Sequence, residues 1–325
     1  MIKIGNIELD DFPLFLSPME NVTNSVFRSI CKSLGADVVL TEFISSEGII
    51  RNIDKSIKKF AFSEKERPIG IQIFGNNTES MNLAVKRAEQ SNPDFIDINF
   101  GCSVKKIVKK NCGAGILNDI PKMIDITKQV VRSTKLPVTV KTRLGWDEKN
   151  KNIVEITERL QDVGIQAITI HGRTKSQSYK YKADWHLIGE VKNNQKIKIP
   201  VIGNGDIDSG EKALEMKKKY NVDGIMIGRA TIGNPWIFKE IKYFLKNSKT
   251  LAPPKIDEKV KICHKHLQKI VELKGEKIGL YTMRRHYAHY FKGLYNFKQY
   301  YLKLVTCNSY KETDSILDEI LANYS

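Results

Sequence analysis

Residues 138–173 read VTVKTRLGWDEKNKNIVEITERLQDVGIQAITIHGR. A β-branched run, Val138–Lys141, gives way to a polar, glycine-bearing turn. Ile153, Ile156, Leu160 and Val163 then recur at helical spacing and share one face. A second apolar run, Ala167–Ile170, ends in His171-Gly172-Arg173. Strand, helix and strand within roughly 30 residues make a parallel βα unit, because a parallel return needs a crossover.

The unit repeats in both directions. Strand runs at Leu14–Ser17, Val38–Leu40, Ile69–Phe74 and Phe95–Asn99 precede it, and Pro200–Gly203 and Gly224–Ile227 follow. Met81–Gln90, Pro121–Ser133 and Ser209–Lys219 carry clear helical patterns, with Pro121 where a first turn tolerates it. Eight strands alternating with helices predict a closed (β/α)8 TIM barrel. The rhythm stops near 250, where Thr250-Leu251-Ala252-Pro253-Pro254 cannot continue a helix. Beyond Asp257 the pattern is helical. The expected class is α/β: a catalytic (β/α)8 barrel over 1–250, then a small C-terminal all-helical domain over 251–325.

A chain of 325 residues, 41% hydrophobic, can bury a large core. That excludes a disordered chain, a fibre and a disulfide-stapled miniprotein. No apolar run approaches the roughly 18 residues of a membrane helix. The N-terminus carries acids where a signal peptide needs a basic start. Five cysteines without a CxxC pair suit a reducing cytoplasm and argue against structural zinc, so no metal is expected. Lys and Arg number 53 against 37 Asp and Glu, a net charge of +16 that points to a polyanionic partner. Lysine is abundant throughout, which accounts for part of that charge.

Barrel chemistry sits at the C-terminal ends of the strands, where the unusual residues fall. Ser17-Pro18-Met19-Glu20 follows strand 1, Glu42 follows strand 2, and Gln72 lies in strand 3. Asn99-Phe100-Gly101-Cys102 follows strand 4, Lys141-Thr142-Arg143 ends strand 5, and His171-Gly172-Arg173 ends strand 6. Gly203-Asn204-Gly205-Asp206 and Gly228-Arg229 end strands 7 and 8. Gly203, Gly205 and Gly228 are expected to free backbone amides for a phosphate, with Arg229 adding a charge-assisted contact. A lysine inside a barrel mouth needs an electron-rich partner. For Lys141 that is a flavin N1–C2=O edge, or else a salt bridge to Glu42 or another core acid. His171 suits a phosphate, a pyrimidine carbonyl, or a hydrogen-bonded core role.

Cys102 has cations nearby, which favour thiolate, and a cysteine also serves as a general acid. Cys112 competes, and spacing alone does not choose between them. Cys31, Cys263 and Cys307 lie in helical patterns and are expected in the core. In the tail, ten Lys or Arg from His264 to Lys311 face only Glu272 and Glu276. Tyr281, Tyr287, Tyr290, Phe291, Tyr295, Phe297, Tyr300 and Tyr301 interleave. The cations are expected to track phosphates while most of the aromatics form core.

Together these motifs resemble the tRNA-dihydrouridine synthases, closest to the bacterial B-type branch. Ser17-Pro18-Met19 with Val22-Thr23 is similar to the family's opening. Ile71–Gly75, Asp97–Cys102, Val140–Trp146, Ile170–Thr174, Asn204–Ile207, Ile227–Ala230 and Gly233-Asn234-Pro235-Trp236 follow in family order. The resemblance implies FMN in the barrel mouth, NADPH (or NADH) as reductant, and a D-arm uridine flipped out of tRNA. By motif position it implies that Cys102, not Cys112, protonates C5 of the uracil. Asn99, Lys141 and Arg143 match positions that hold the uracil or the flavin edge. Pro18, Met19, Gln72, Lys141, His171, Asn204, Gly205, Asp206, Gly228 and Arg229 match FMN contacts. Arg284 and Arg285 are expected to touch tRNA. No obligate protein partner is evident, and a cytoplasmic monomer is expected.

The chain departs from the family pattern at Ser103, usually proline, at Glu20-Asn21 and Asn24, and at Tyr181, usually glycine. The rival readings are a small-molecule flavin-dependent pyrimidine or enone reductase, against which the basic tail argues, and an RNA-binding or chaperone-like protein with an idle barrel, against which Cys102, Lys141 and His171 argue.

Overall fold

The computed structural model describes all residues, 1–325. An antiparallel hairpin comes first, β1 (Ile2–Ile4) and β2 (Ile7–Leu9). Eight parallel strands then form the barrel: β3 (Leu14–Leu16), β4 (Val38–Leu40), β6 (Ile69–Phe74), β7 (Phe95–Asn99), β8 (Val138–Arg143), β9 (Ala167–His171), β10 (Val201–Asn204) and β11 (Gly224–Ile227). A short β5 (Ile44–Ser45) also pairs with β6. Each barrel strand pairs with the next, and β11 returns to β3, so no edge is left open.

The helices around the barrel are α1 (Ser25–Ser33), α2 (Ser46–Ile50), α3 (Asp54–Ile57), α4 (Thr78–Glu89), α5 (Lys105–Val108), α6 (Ile120–Ser133), α7 (Ile153–Asp162), α8 (His186–Asn193), α9 (Gly210–Tyr220) and α10 (Ile237–Asn247). Asn24 caps α1 by accepting from the Phe27 amide, so this departure from the family pattern keeps its helix signal.

The period-2 alternation of the strands sorts their side chains. Leu14, Leu16, Val39, Ile71, Ile96, Ile98, Val138, Val140, Ile168, Ile170, Ile225 and Ile227 join the main core, outside the barrel wall and against the helices. Phe15, Val38, Leu40, Phe95, Ala167, Ile202 and Met226 point inward and form a second apolar layer with Ile4 and Leu9 of the hairpin. The hairpin therefore plugs the floor of the barrel. Higher on the same inward face, the side chains turn polar.

The tail is α11 (Ile256–Lys274), α12 (Glu276–Tyr290), α13 (Lys298–Thr306) and α14 (Tyr310–Tyr324). Its own core includes Leu267, Met283, Tyr287, Tyr290, Phe291 and Leu317. Trp236 from the barrel belongs to this core, and Val26 and Leu34 of the α1 region pack against it. Most of the tail aromatics are at least half-buried, as expected, but Tyr281 and Tyr295 are exposed. Cys31 and Cys263 are buried. Cys307 packs against the tail core but only half-buried, because α13 has already stopped at Thr306 and Cys307 caps its end.

Candidate active site

The barrel opens at the C-terminal ends of its strands into a cavity of about 900 Å³. The register brings its residues level. Asn99 lies opposite Lys141, Arg143 opposite His171, and His171 opposite Asn204. Pro18, Met19, Asn99, Cys102, Lys141, Arg143, His171, Asn204, Gly205, Asp206, Gly228 and Arg229 all line the cavity. Gln72 does not. It is fully buried beneath Asn99 and spends its side chain on neighbours there. Arg284 and Arg285 lie on α12, outside the cavity.

Lys141 donates to Asn204 Oδ1 at 3.0 Å, and Asn204 Nδ2 donates to the Met226 carbonyl at 2.7 Å, which turns the Asn204 oxygen toward the lysine. The salt bridge to Glu42 does not form, because the Glu42 carboxylate accepts the Asn21 backbone N–H instead. Burial, and then the neighbouring Arg143, push the Lys141 ammonium down to about 8, while Asp97 pulls the other way. The side chain remains a cation at neutral pH with donors to spare. His171 is held well below its usual range by burial and by Arg143, Lys141, Arg173 and Arg229, so its imidazole is neutral. Arg173 NH1 points at His171 Nε2 at 3.4 Å, and since arginine only donates, the ring proton belongs on Nδ1.

The cysteine loop is held from two sides. Asn99 Oδ1 accepts the backbone N–H of Gly101 at 3.1 Å and of Cys102 at 2.9 Å. Arg143 donates through Nε to the Gly101 carbonyl at 2.6 Å, through NH1 to the Thr174 carbonyl at 3.0 Å, and through NH2 to the Ser103 hydroxyl at 3.4 Å. Ser103, where the family usually has proline, thus adds an acceptor for that arginine. Burial raises the Cys102 thiol above its ordinary value and outweighs the Arg143 and Lys141 charges. Of the two readings of Cys102, thiolate and general acid, this direction favours the thiol, which has a proton to give. Cys112 is buried outside the cavity and donates to the Lys110 carbonyl at 3.4 Å. The Ala114 amide nearby donates to the Cys102 carbonyl at 2.9 Å, so the Cys112 loop backs the Cys102 loop.

At the opposite end, Asp206 bridges Arg173 NH2 at 2.6 Å and Arg229 NH2 at 2.8 Å. The Tyr179 ring lies under Arg229 at 4.4 Å and under Arg173 at 5.6 Å. Gly228 lies just before a single 3-10 turn, Arg229–Thr231, and Gly205 takes φ +134°, which favours glycine. Gly203 does not free an amide for phosphate as expected. It lies within β10, and the Trp185 ring fills the space of its missing Cβ. Tyr179 lines the cavity without a signal in the sequence, and Arg173, named there at the end of strand 6 but given no role, is buried behind the cavity and holds Asp206. Arg173 stands two residues after His171, just past the end of β9, a signal that was legible. Tyr179 reaches the site through a loop fold that spacing does not encode.

A dihydrouridine synthase family model matches residues 15–324. A probable tRNA-dihydrouridine synthase of Rickettsia conorii is 38% identical over 91% of this chain and 89% of that protein. A tRNA-dihydrouridine synthase B of Vibrio vulnificus is 39% identical over 90% of this chain and 89% of that protein. Among solved structures, 6-hydroxypseudooxynicotine amine oxidase from Pseudomonas geniculata N1 superposes with a TM-score of 0.58 at 13% identity. It covers 84% of this chain and 51% of the other, a likeness of fold alone. With an ordered barrel, a cysteine at its mouth and relatives matched along nearly the whole length, the chain belongs to the dihydrouridine synthase family, in its bacterial B-type branch.

Proposed function

We propose that this chain reduces uridine in the D arm of tRNA to 5,6-dihydrouridine, with FMN as cofactor and NADPH or NADH as reductant. The donor set fits a flavin. Lys141 and the neutral His171 suit an electron-rich ring edge, while Arg229 and the backbone at Gly228 and Gly205 suit a phosphate, with Arg173 buried behind them and holding Asp206. Pro18, Met19 and Asn204 complete that wall. A bound reduced flavin supplies hydride to C6 of the uracil C5=C6 bond.

The chain's own part is to hold the base and move a proton. Asn99, Lys141 and Arg143 orient the uracil carbonyls. The Cys102 S–H bond breaks, its proton goes to C5, and the sulfur recovers a proton from solvent. The observation that carries this reading is a cysteine, its thiol pushed up by burial, at the rim of the cavity that holds Lys141, Asn204 and His171. Residues 1–250 serve as the catalytic unit. Residues 251–325 grip the tRNA through their cations, in a monomer working in a reducing cytoplasm. No helix is long and apolar enough to cross a membrane.

Two measurements test the proposal. The purified protein should be yellow and release FMN on denaturation; a colourless protein that takes up no FMN sinks the cofactor. Cys102→Ala should lower the rate of uridine reduction by about 10²–10⁴, the usual worth of a general acid, while tRNA and FMN still bind. Cys112→Ala should stay near wild type; the reverse pattern overturns the assignment.

A further inference from the structure

One buried charged group takes no part in that chemistry. Asp97 is 2% exposed, on the inward face of β7, two residues below Asn99. It does not line the cavity and cannot touch a ligand there. The barrel floor just below it is apolar, with Phe15, Phe95, Ile202 and Met226. An ionised group in such a place is rare unless its partners are fixed.

We propose that Asp97 is a positioning residue, whose carboxylate fixes the direction of the Gln72 and Asn99 side-chain amides and so places the Cys102 loop at the cavity rim. A carboxylate only accepts. Asp97 Oδ1 takes the Thr139 hydroxyl at 2.5 Å, and Oδ2 takes Gln72 Nε2 at 2.6 Å. Gln72 must therefore present its NH2 to Asp97 and its oxygen to the other side. That oxygen accepts from Asn99 Nδ2 at 2.7 Å. The Asn99 amide is fixed in turn, with Oδ1 left to accept the backbone N–H groups of Gly101 and Cys102. Turning either amide would set oxygen against oxygen or donor against donor, out of reach of solvent. Lys141, on the neighbouring strand, balances the charge. In this scheme Gln72 serves the cysteine loop rather than a cofactor. The inference rests on the reading of Cys102 as proton donor.

The test is a double-variant cycle at positions 72 and 97. Gln72→Glu sets two carboxylates against each other once pH is high enough to ionise both; below that a shared proton keeps the wild-type direction, so every readout is taken beside wild type from about pH 6.5 to 9.5. Adding Asp97→Asn restores the direction, because the amide placed at position 97 donates to the carboxylate placed at position 72, which accepts from Asn99 as before. Two readouts are taken. One is kcat and KM for tRNA with the flavin-loaded protein. The other is the rate at which iodoacetamide alkylates Cys102 in the flavin-free protein, located by peptide mass.

At the alkaline end Gln72→Glu should lower kcat at least about tenfold relative to wild type at the same pH, with KM for tRNA unchanged, and shift the alkylation rate severalfold; the loss should shrink as pH falls and the pair takes up a proton. Asp97→Asn alone no longer enforces the direction and should fall between. The double variant should recover to within about threefold of wild type in both readouts. A double variant no better than the poorer single variant overturns the proposal, as does a change confined to KM. If Gln72→Glu does not fold, the double variant must still surpass Asp97→Asn; if it is unfolded or worse, the proposal fails. Alkylation needs no turnover, so a failure of the proton-donor reading, seen as an active Cys102→Ala, is told apart from a failure of the positioning role.

Discussion

At the scale of single residues, Lys141 shows how burial sets chemistry. Its ammonium falls from its ordinary 10.5 to about 8 because the barrel wall desolvates it and Arg143 lies close. With its folded pKa depressed, the unfolded chain binds more protons between about 8 and 10.5. Protein without ligand therefore gains stability as pH rises through that window, and below it bears the full desolvation cost. An electron-rich ligand reverses the balance, since it favours the charged form. FMN affinity should thus be highest near neutral pH and fall as pH passes 8. Lys141→Met should bind FMN about ten- to hundredfold more weakly at pH 7, the worth of a hydrogen bond to a charged group. It should also show no such fall on the alkaline side. Flavin fluorescence titrations of both proteins from pH 6.5 to 9.5 check this; an identical pH profile in the variant removes Lys141 from the flavin site.

At the scale of elements, the N-terminal hairpin carries more than its six strand residues suggest. Ile4 is 1% exposed and Leu9 8%, both in the apolar layer inside the barrel. Ile4→Ala should cost about 2–5 kcal/mol in urea unfolding, because a rigid barrel floor cannot collapse into the space left. A cost under about 1 kcal/mol would mean that the hairpin only caps the floor loosely. This element was not read from the sequence, although Ile2, Ile4, Ile7 and Leu9 alternate around Gly5-Asn6. The βα rhythm was legible because each barrel strand is short, β-branched and followed by a turn. The site was legible where polar residues end those strands, as at Lys141, His171 and Asn204. The Asp97–Gln72–Asn99 chain was not, because its three members sit on two strands and their hydrogen bonds depend on which face each presents. Gly203 misled for the same reason: whether a glycine admits a phosphate or an indole depends on its side of the strand.

For the whole molecule, the tail docks through a buried joint rather than a linker. Phe27 of α1 stacks on His266 at 5.5 Å and packs against His286 at 4.9 Å, and His286 Nδ1 accepts the Gly233 amide at 3.0 Å. Trp236 Nε1 reaches Glu258 at 2.7 Å. Burial holds both imidazoles neutral, His286 well below its usual range and His266 at about 3. A tail so fixed presents its cations at set positions relative to the barrel mouth. The two arginines read together from the sequence then separate. Arg284 is half-buried, donates to the Cys307 carbonyl at 3.2 Å and to Asn308 Oδ1 at 3.0 Å, and lies over the Tyr281 ring at 4.4 Å. It ties α12 to the turn before α14. Arg285 is exposed and makes no ion pair. Arg285→Ala should therefore weaken tRNA binding and reduce the slope of log affinity against log salt by about one, with unfolding free energy within about 0.5 kcal/mol of wild type. Arg284→Ala should lower the melting temperature, and any loss of tRNA affinity should be matched by loss of tail structure. Salt-titrated filter binding beside thermal unfolding separates the two. Equal salt slopes for Arg285→Ala and wild type would take that face of α12 off the RNA path and leave the phosphates to cations elsewhere on the tail.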